Sequence, residues 1–173
     1  MTVDKKKKLA KIIETKLKEV SFFKDYKNND DVINRIISLS EIAFFKKGET
    51  IIREGDHGDE LFIILKGEID IIKKTLQDQK YVVTSLNAES GGVYVGEIAL
   101  LDNDKRSATV EAKTDCECLV LNRDNFIKFG DENPVIGLRI TRAIAKQLTQ
   151  KLRKSNSDVI TLFSALVDEI SGS

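Results

Sequence analysis

The spacing of apolar residues predicts helices near the start of the chain. Over residues 9–20 these positions recur every three or four residues, which is the spacing of one face of an amphipathic helix. A second helix is predicted over residues 30–39. The polar residues Asn28, Asn29 and Asp30 precede it and can cap its first N–H groups.

The last third of the chain is predicted to be helical as well. A short helix follows Asp124, and a longer one begins at Pro134, because proline suits the first position of a helix. Its apolar stripe runs to Leu152, and a further stripe covers residues 159–170. The polar residues 155–158 either break the helix or lie on the polar face of a continuing one. The pattern leaves both alternatives open.

Between these ends the pattern changes to short segments rich in β-branched and aromatic residues, separated by turns that contain glycine. Seven strands are predicted, at residues 42–45, 50–52, 60–66, 68–72, 81–86, 107–112 and 116–121. No helix of crossover length separates them, so parallel βαβ units are not expected. The pattern therefore predicts a mostly β protein of the α+β class, a sandwich or barrel with flanking helices.

The composition is that of a folded globular chain. Hydrophobic residues make up 41% of the 173 residues and charged residues 32%, and the mean hydropathy is −0.22. Lys+Arg and Asp+Glu both number 28, and a net charge of zero argues against a broadly basic face that binds nucleic acid. No apolar run approaches the ~18 residues of a membrane span. We therefore expect a cytoplasmic chain with both cysteines reduced.

Positive charge is concentrated at the N-terminus, where residues 1–20 contain seven lysines and three acidic residues. The lysine run is interpreted as a solvated helix start, with binding to a membrane surface or an acidic partner as the alternative. The expected organisation is a Lys-rich amphipathic extension at 1–20, a main domain at 21–154 and a C-terminal helical extension at 155–173.

One short segment offers the groups needed to bind a phosphate joined to a sugar. Gly96 permits close approach of the backbone, and Glu97 can open a short helical turn whose first N–H groups face an anion. Arg106 supplies a guanidinium that matches phosphate oxygens, and Ser107 adds a hydroxyl. The carboxylate of Glu97 can accept from a sugar hydroxyl and orient Arg106. The candidate ligand-binding residues are Val95, Gly96, Glu97, Ile98, Ala99, Arg106, Ser107 and Ala108.

Two stretches, Gly96-Glu97-Ile98-Ala99-Leu100 and Arg106-Ser107-Ala108-Thr109-Val110, resemble the phosphate-binding cassette of cyclic-nucleotide-binding domains. The upstream turn Glu54-Gly55-Asp56 also matches that family. The resemblance covers about residues 20–152. It implies an eight-stranded antiparallel β-roll, jelly-roll-like, with N-terminal helices and a long C-terminal helix. The loop at residues 88–92 is longer than is usual in the family.

The resemblance also implies roles for individual residues. Arg106 would hold the cyclic phosphate and Glu97 the ribose 2′-hydroxyl, while backbone groups of residues 96–99 and the Ser107 hydroxyl would complete the contacts. A residue of the long C-terminal helix would cover the base, and the candidates are Lys151, Arg153 and Asn156. The implied ligand is cAMP, with cGMP as the second choice because Ser107 could reach a guanine amino group. No cofactor and no metal are expected.

Other interpretations of these residues stay open at this point. Arg106 and Glu97 could form a purely structural ion pair. The acidic turn around His57 could pass for a metal loop, although its glycines favour a β-turn with an exposed histidine. Cys116 and Cys118 face the same side of a strand and are interpreted as buried small residues rather than a redox pair.

Two functions are carried forward. The first is a cyclic-nucleotide receptor that signals through its terminal helices to an effector protein, with a homodimer as a further expectation. The second is a protein-interaction module that keeps the fold and uses no ligand. Catalysis is not expected, because the sequence has no P-loop, no nucleophile with a histidine base and no metal-ligand cluster. About twenty residues follow Leu152, too few for a helix-turn-helix, so no nucleic-acid partner is expected.

Overall fold

Helices occupy both ends of the chain in the computed structural model, which describes the backbone of residues 3–172 and the side chains of residues 8–172. Within that range the helices are α1 (Val3–Glu19), α2 (Asp30–Ser38), α3 (Arg123–Glu132) and α4 (Pro134–Ser171). A 3-10 segment, Ser21–Tyr26, follows α1. The side chains of the lysine run at 5–7 lie outside the described residues.

The predicted caps and apolar stripes explain where the first helices lie. The side chain of Asn29 accepts a hydrogen bond from the Val32 N–H and so caps α2. On α1, Ile13 and Leu17 are buried, as the predicted stripe requires. This face packs against one side of the β-region.

Eight strands lie between α2 and α3 in the described chain. They are β1 (Ser40–Phe45), β2 (Thr50–Ile52), β3 (Glu60–Lys66), β4 (Glu68–Lys74), β5 (Lys80–Asn87), β6 (Tyr94–Val95), β7 (Thr109–Ala112) and β8 (Cys116–Asn122). They form two four-stranded antiparallel sheets, in the orders β1-β8-β3-β6 and β2-β7-β4-β5. The expected eight-stranded antiparallel β-roll with flanking helices is confirmed.

Several strand ends differ from the prediction by one or two residues, and two differences have a physical cause. β6 was not predicted, because two residues are too few to show the alternation that marks a strand. β7 begins at Thr109 rather than at 107. The backbone of Arg106 is instead hydrogen-bonded to the turn at residues 54–59. The Arg106 N–H donates to the Asp56 carbonyl at 2.8 Å, and the Arg106 carbonyl accepts from the Gly55 N–H at 2.9 Å.

Strand β3 divides the core into two parts. Alternate side chains point to opposite faces of a strand, so Leu61, Ile63 and Leu65 face the helices while Phe62 and Ile64 face the second sheet. All five are buried. Burial on both faces explains why this segment is an unbroken apolar run in the sequence rather than an alternating one.

Helix α4 is one continuous helix of 38 residues, so residues 155–158 do not break it. Its first turns are anchored by Ile140 and Ile144, both fully buried. Every residue from 149 to 172 is exposed. In the described range no helix has both the length and the apolar composition that a bilayer crossing requires.

Candidate functional site

All eight sequence-predicted ligand-binding residues line one cavity of about 590 Å³. They are Val95, Gly96, Glu97, Ile98, Ala99, Arg106, Ser107 and Ala108. The apolar residues Ile52, Ile71, Leu86 and Val110 of the second sheet form another wall. A cavity of this size, apolar on one side and with a few charged groups on the other, is typical of small-molecule sites.

The backbone at Gly96 turns the chain from β6 into the cassette. Its φ is +84°, in the left-handed region that favours glycine, and the short 3-10 turn Glu97–Leu100 follows at once. A Cβ at this position would lie 2.6 Å from the Glu60 carbonyl oxygen and 2.7 Å from Arg106 Nη1. In the described chain the N–H groups of Glu97 and Ile98 make no hydrogen bond, so they are available to an anion.

Arg106 is held in place mainly by backbone groups of the turn that precedes β3. Its Nη1 donates to the Glu60 carbonyl at 2.8 Å, and its Nη2 lies 3.9 Å from the Glu60 carboxylate. Gly58 makes room for the guanidinium, since a Cβ there would lie 2.6 Å from Arg106 Nε. Burial lowers the pKa of Arg106, while the nearby charges of Glu60 and Asp59 oppose that change. The side chain is 7% exposed and lines the cavity, and among the described residues its one ion pair is the 3.9 Å contact with Glu60.

Glu97 lies on the same cavity wall but does not pair with Arg106. Its carboxylate is almost fully buried, and its Oε1 accepts a hydrogen bond from Lys151 Nζ at 2.5 Å. The idea that Glu97 and Arg106 form a structural ion pair is therefore wrong for this structure, and Glu97 does not orient Arg106. Each of the two buried charges has a different partner.

Of the three candidates on the long helix, Lys151 reaches the cavity. Its Nζ also lies 5.9 Å from the centre of the Tyr94 ring. Arg153 and Asn156 lie on the exposed part of α4 and do not line the cavity.

Tyr94 is a residue at the site that sequence reasoning missed. Its hydroxyl donates to Gln147 of α4, and the Gln147 amide in turn donates to Ser21. Ser21 Oγ and Tyr94 Oη lie 3.2 Å apart, so the three side chains close a ring of hydrogen bonds. The only available signal was an aromatic residue two positions before Gly96, since Gln147 and Ser21 are distant in sequence.

The segment that leaves the cassette is held by the second sheet. The Ser107 carbonyl accepts from Lys73 Nζ, and the Thr109 hydroxyl accepts from the Glu54 N–H at 3.0 Å. Lys73 also forms an ion pair with Glu54 at 3.0 Å. These contacts orient Ser107 and Ala108 beside Arg106.

The loop at residues 88–92, which leads into β6, packs against the end of α1. Lys16 Nζ donates to the Ala88 carbonyl at 2.7 Å, and the Gly92 N–H donates to Glu19 Oε2 at 3.1 Å. Gly92 has a φ of +56°, and a Cβ there would lie 2.3 Å from the Glu19 carbonyl oxygen. The N-terminal helix therefore contacts the chain directly ahead of the cassette.

The remaining chemical candidates are structural. His57 is exposed and forms an isolated β-bridge with Lys105, as expected for a turn residue. Cys116 and Cys118 are unpaired and buried, and burial raises the pKa of Cys118 to about 12. No cluster of three or more metal-ligating side chains is present among the described residues.

Comparison with known proteins gives the same assignment. The family model of the cyclic nucleotide-binding domain matches residues 42–133, more than half of the chain. Human cGMP-dependent protein kinase 2 is 37% identical over 112 residues, which is 64% of this chain but only 14% of the kinase. The chain therefore corresponds to a small part of that relative.

Two solved structures have a similar fold. A cyclic nucleotide-binding domain from Methylobacillus flagellatus superposes with a TM-score of 0.73 at 23% identity, covering 89% of this chain and 84% of that one. The regulatory domain of Toxoplasma gondii PKA, solved with cAMP, gives a TM-score of 0.62 at 28% identity, covering 70% and 44%. With its cassette residues around one cavity and a family model that matches most of its β-roll, the chain belongs to the cyclic nucleotide-binding domain family.

Proposed function

We propose that this chain is a receptor for a cyclic mononucleotide, with cAMP as its ligand. In this proposal Arg106 binds the cyclic phosphate together with the N–H groups of residues 97–98 and the hydroxyl of Ser107. Glu97 accepts a hydrogen bond from the ribose 2′-hydroxyl. The observation that carries the proposal is that Arg106 and Glu97, both more than 90% buried, line the same cavity without pairing with each other. A phosphate would give Arg106 a closer anionic partner than the Glu60 carboxylate, and a ribose hydroxyl would give the Glu97 carboxylate a hydrogen-bond donor.

The choice of cAMP over cGMP rests on the residue after Arg106, which is Ser107 here, whereas family members selective for cGMP often have a threonine at this position. Ser107 gives that position a short hydroxyl beside the phosphate. One similar protein was solved with cAMP, whereas another is a cGMP-dependent kinase, so both nucleotides have relatives in their favour. Titration with both ligands therefore belongs in the first experiment.

The output of the receptor is assigned to α4. Five of its residues recur at intervals of seven and are all exposed: Leu138, Ala145, Leu152, Val159 and Leu166. A strict repeat of seven is typical of a coiled-coil seam. The proposed occupant of this seam is therefore α4 of a second copy of the chain. Sedimentation over a range of concentrations tests it, and a chain that stays monomeric throughout would leave the seam to an effector protein.

The location of the chain is part of the same proposal. Cys116 and Cys118 lie on one face of β8, and both remain as free thiols. This state suits the reducing cytoplasm, where we place the receptor.

A thermal-melt titration separates the receptor from a module that uses the fold without a ligand. The protein is first freed of any nucleotide that copurifies with it. At a free ligand concentration of 100 times Kd, the free energy of unfolding is expected to rise by about 2.7 kcal/mol, because the ligand binds only the folded state. An unchanged melting temperature with both cAMP and cGMP would favour the ligand-independent module.

A further inference from the structure

The ion pair between Glu97 and Lys151 joins the cassette to α4. The two residues are 54 positions apart, and Lys151 Nζ lies 2.5 Å from Glu97 Oε1. The glutamate side chain is 8% exposed, whereas that of the lysine is 61% exposed. The lysine therefore reaches from the solvent side of the helix to a carboxylate that is almost fully removed from water.

A buried carboxylate is costly unless a cation or hydrogen-bond donors replace its water. In the described chain the ammonium of Lys151 supplies the one hydrogen bond recorded for the Glu97 side chain. The free protein thus favours the arrangement in which the ammonium of Lys151 contacts Glu97 at the wall of the cavity. The ring of Tyr94 below the ammonium adds a further attraction.

The ammonium holds Oε1 of Glu97, and a ribose hydroxyl that donates to the same oxygen would have to take its place. We propose that Lys151 is an intramolecular competitor of the cyclic nucleotide, which occupies Glu97 in the free protein and leaves it when the ribose hydroxyl binds. The inference rests on the proposed function, because it requires that Glu97 receives the ribose. It gives Lys151 the opposite role from a residue that covers the bound base.

The position of Lys151 on α4 determines what its displacement changes. One turn earlier, Gln147 is held by Tyr94 and Ser21 through contacts that a ribose does not replace. From residue 149 onward the helix is exposed. Loss of the Glu97 contact therefore releases α4 from the cassette beyond Gln147 and leaves the earlier turns in place. The coupling is reciprocal. If nucleotide binding weakens the docking of this part of α4 by a given free energy, then loss of the docking strengthens nucleotide binding by the same free energy.

The test compares Lys151→Met with Lys154→Met in the full chain freed of nucleotide. Methionine keeps the length of the side chain and removes the charge, and Lys154 is an exposed lysine on the same helix. Calorimetric titration with cAMP is expected to show roughly two- to fivefold tighter binding for Lys151→Met, because one competing ion pair is lost. No change is expected for Lys154→Met. With 2′-deoxy-cAMP, which does not compete for Glu97, Lys151→Met is expected to show no gain.

The opposite results are equally distinct. Unchanged cAMP binding by Lys151→Met would overturn the competition. Weaker binding would overturn it as well and would indicate that the lysine contacts the bound nucleotide. An equal gain with cAMP and 2′-deoxy-cAMP would also overturn it, because competition would then not occur at Glu97. Absence of binding in the wild-type chain as well would refute the proposed function itself and the inference with it.

Discussion

At the scale of single residues, the cassette is fixed by backbone atoms of its neighbours more than by other side chains. The guanidinium of Arg106 is hydrogen-bonded to the Glu60 carbonyl, and Gly58 and Gly96 leave the space that it fills. Burial lowers the pKa of Arg106, because a charged guanidinium is less stable away from water, so the site favours an anion that stabilises this charge. A phosphate in the cavity would have that effect.

Arg106→Ala is expected to weaken binding of the cyclic nucleotide far more than it weakens folding. The loss of a charge-assisted contact in a partly buried site corresponds to about 2–5 kcal/mol, or roughly 30- to 3,000-fold in Kd. Calorimetric titration measures it, with Arg53→Ala as the control because Arg53 is exposed on the adjacent turn. Equal affinity of Arg106→Ala and wild type would contradict the assigned site.

Gly96→Ala is expected to lose more stability than Gly48→Ala. The two glycines have nearly the same φ, +84° and +85°, so both substitutions carry the strain of a left-handed residue, about 1–3 kcal/mol. A Cβ at Gly48 meets nothing within 4 Å, whereas one at Gly96 would clash with the Glu60 carbonyl. Urea unfolding of both variants isolates the clash, and equal losses would show that the turn can shift to accept the methyl group.

At the scale of elements, the crossing of α3 and α4 depends on two glycines that let the helices touch. A Cβ on Gly137 would lie 2.6 Å from the Cα of Gly130, but one on Gly130 would lie 3.6 Å from the Cα of Gly137. The contact is therefore asymmetric. This crossing sets the direction in which the rest of α4 runs.

Substitution of each glycine by alanine is expected to affect the stability of the protein differently. Alanine favours a helix interior by about 1 kcal/mol over glycine, so Gly130→Ala is expected to be neutral or stabilising. Gly137→Ala is expected to destabilise, because the clash with backbone exceeds that gain. Thermal melting of the two variants is the measurement. A stabilised Gly137→Ala protein would mean that the helices can separate at little cost.

The sequence was informative where the determinants are local. The residues of the cassette lie within two short stretches, so their convergence on one cavity followed from adjacency along the chain. The contacts of Glu60 with Arg106, Lys151 with Glu97 and Gln147 with Tyr94 span 46 to 54 residues. They depend on how sheets and helices pack, and no spacing in the sequence encodes them. The sequence also could not tell whether α4 stays continuous through 155–158, because polar residues there suit both a helix cap and the exposed face of a helix.

At the scale of the whole molecule, residues at the cavity or next to it contact helices at both ends of the chain, α1 and α4. The loop ahead of β6 rests on α1 through Lys16 and Glu19, and the ring of Ser21, Tyr94 and Gln147 joins the end of that region to α4. A change at the cassette can therefore reach either end of the chain. Ligand would shift the terminal helices only if it binds their alternative arrangements with different affinity.

Hydrogen exchange of the free and nucleotide-bound chain is expected to differ at residues 150–172 as well as at 95–109. The physical reason is that the ion pair of Lys151 with Glu97 joins the exposed part of α4 to the cassette, so the docking of this part responds to what occupies the cavity. The first turns of α4, anchored by Ile140 and Ile144, serve as the internal reference. Protection that changes only at 95–109 would mean that the signal leaves by another route, and changes near α1 would point to the N-terminal contacts.

The exposed turn at His57 offers a practical way to observe the cavity from outside. Its imidazole faces solvent, while backbone atoms of the same turn hold Arg106. Both native thiols are buried and the pKa of each is raised, so His57→Cys would introduce the one readily labelled thiol among the described residues. A fluorophore attached there would lie near the end of the cavity that Arg106 lines, without replacing any side chain that lines it. The fold thus provides an attachment point for an optical reporter of ligand occupancy.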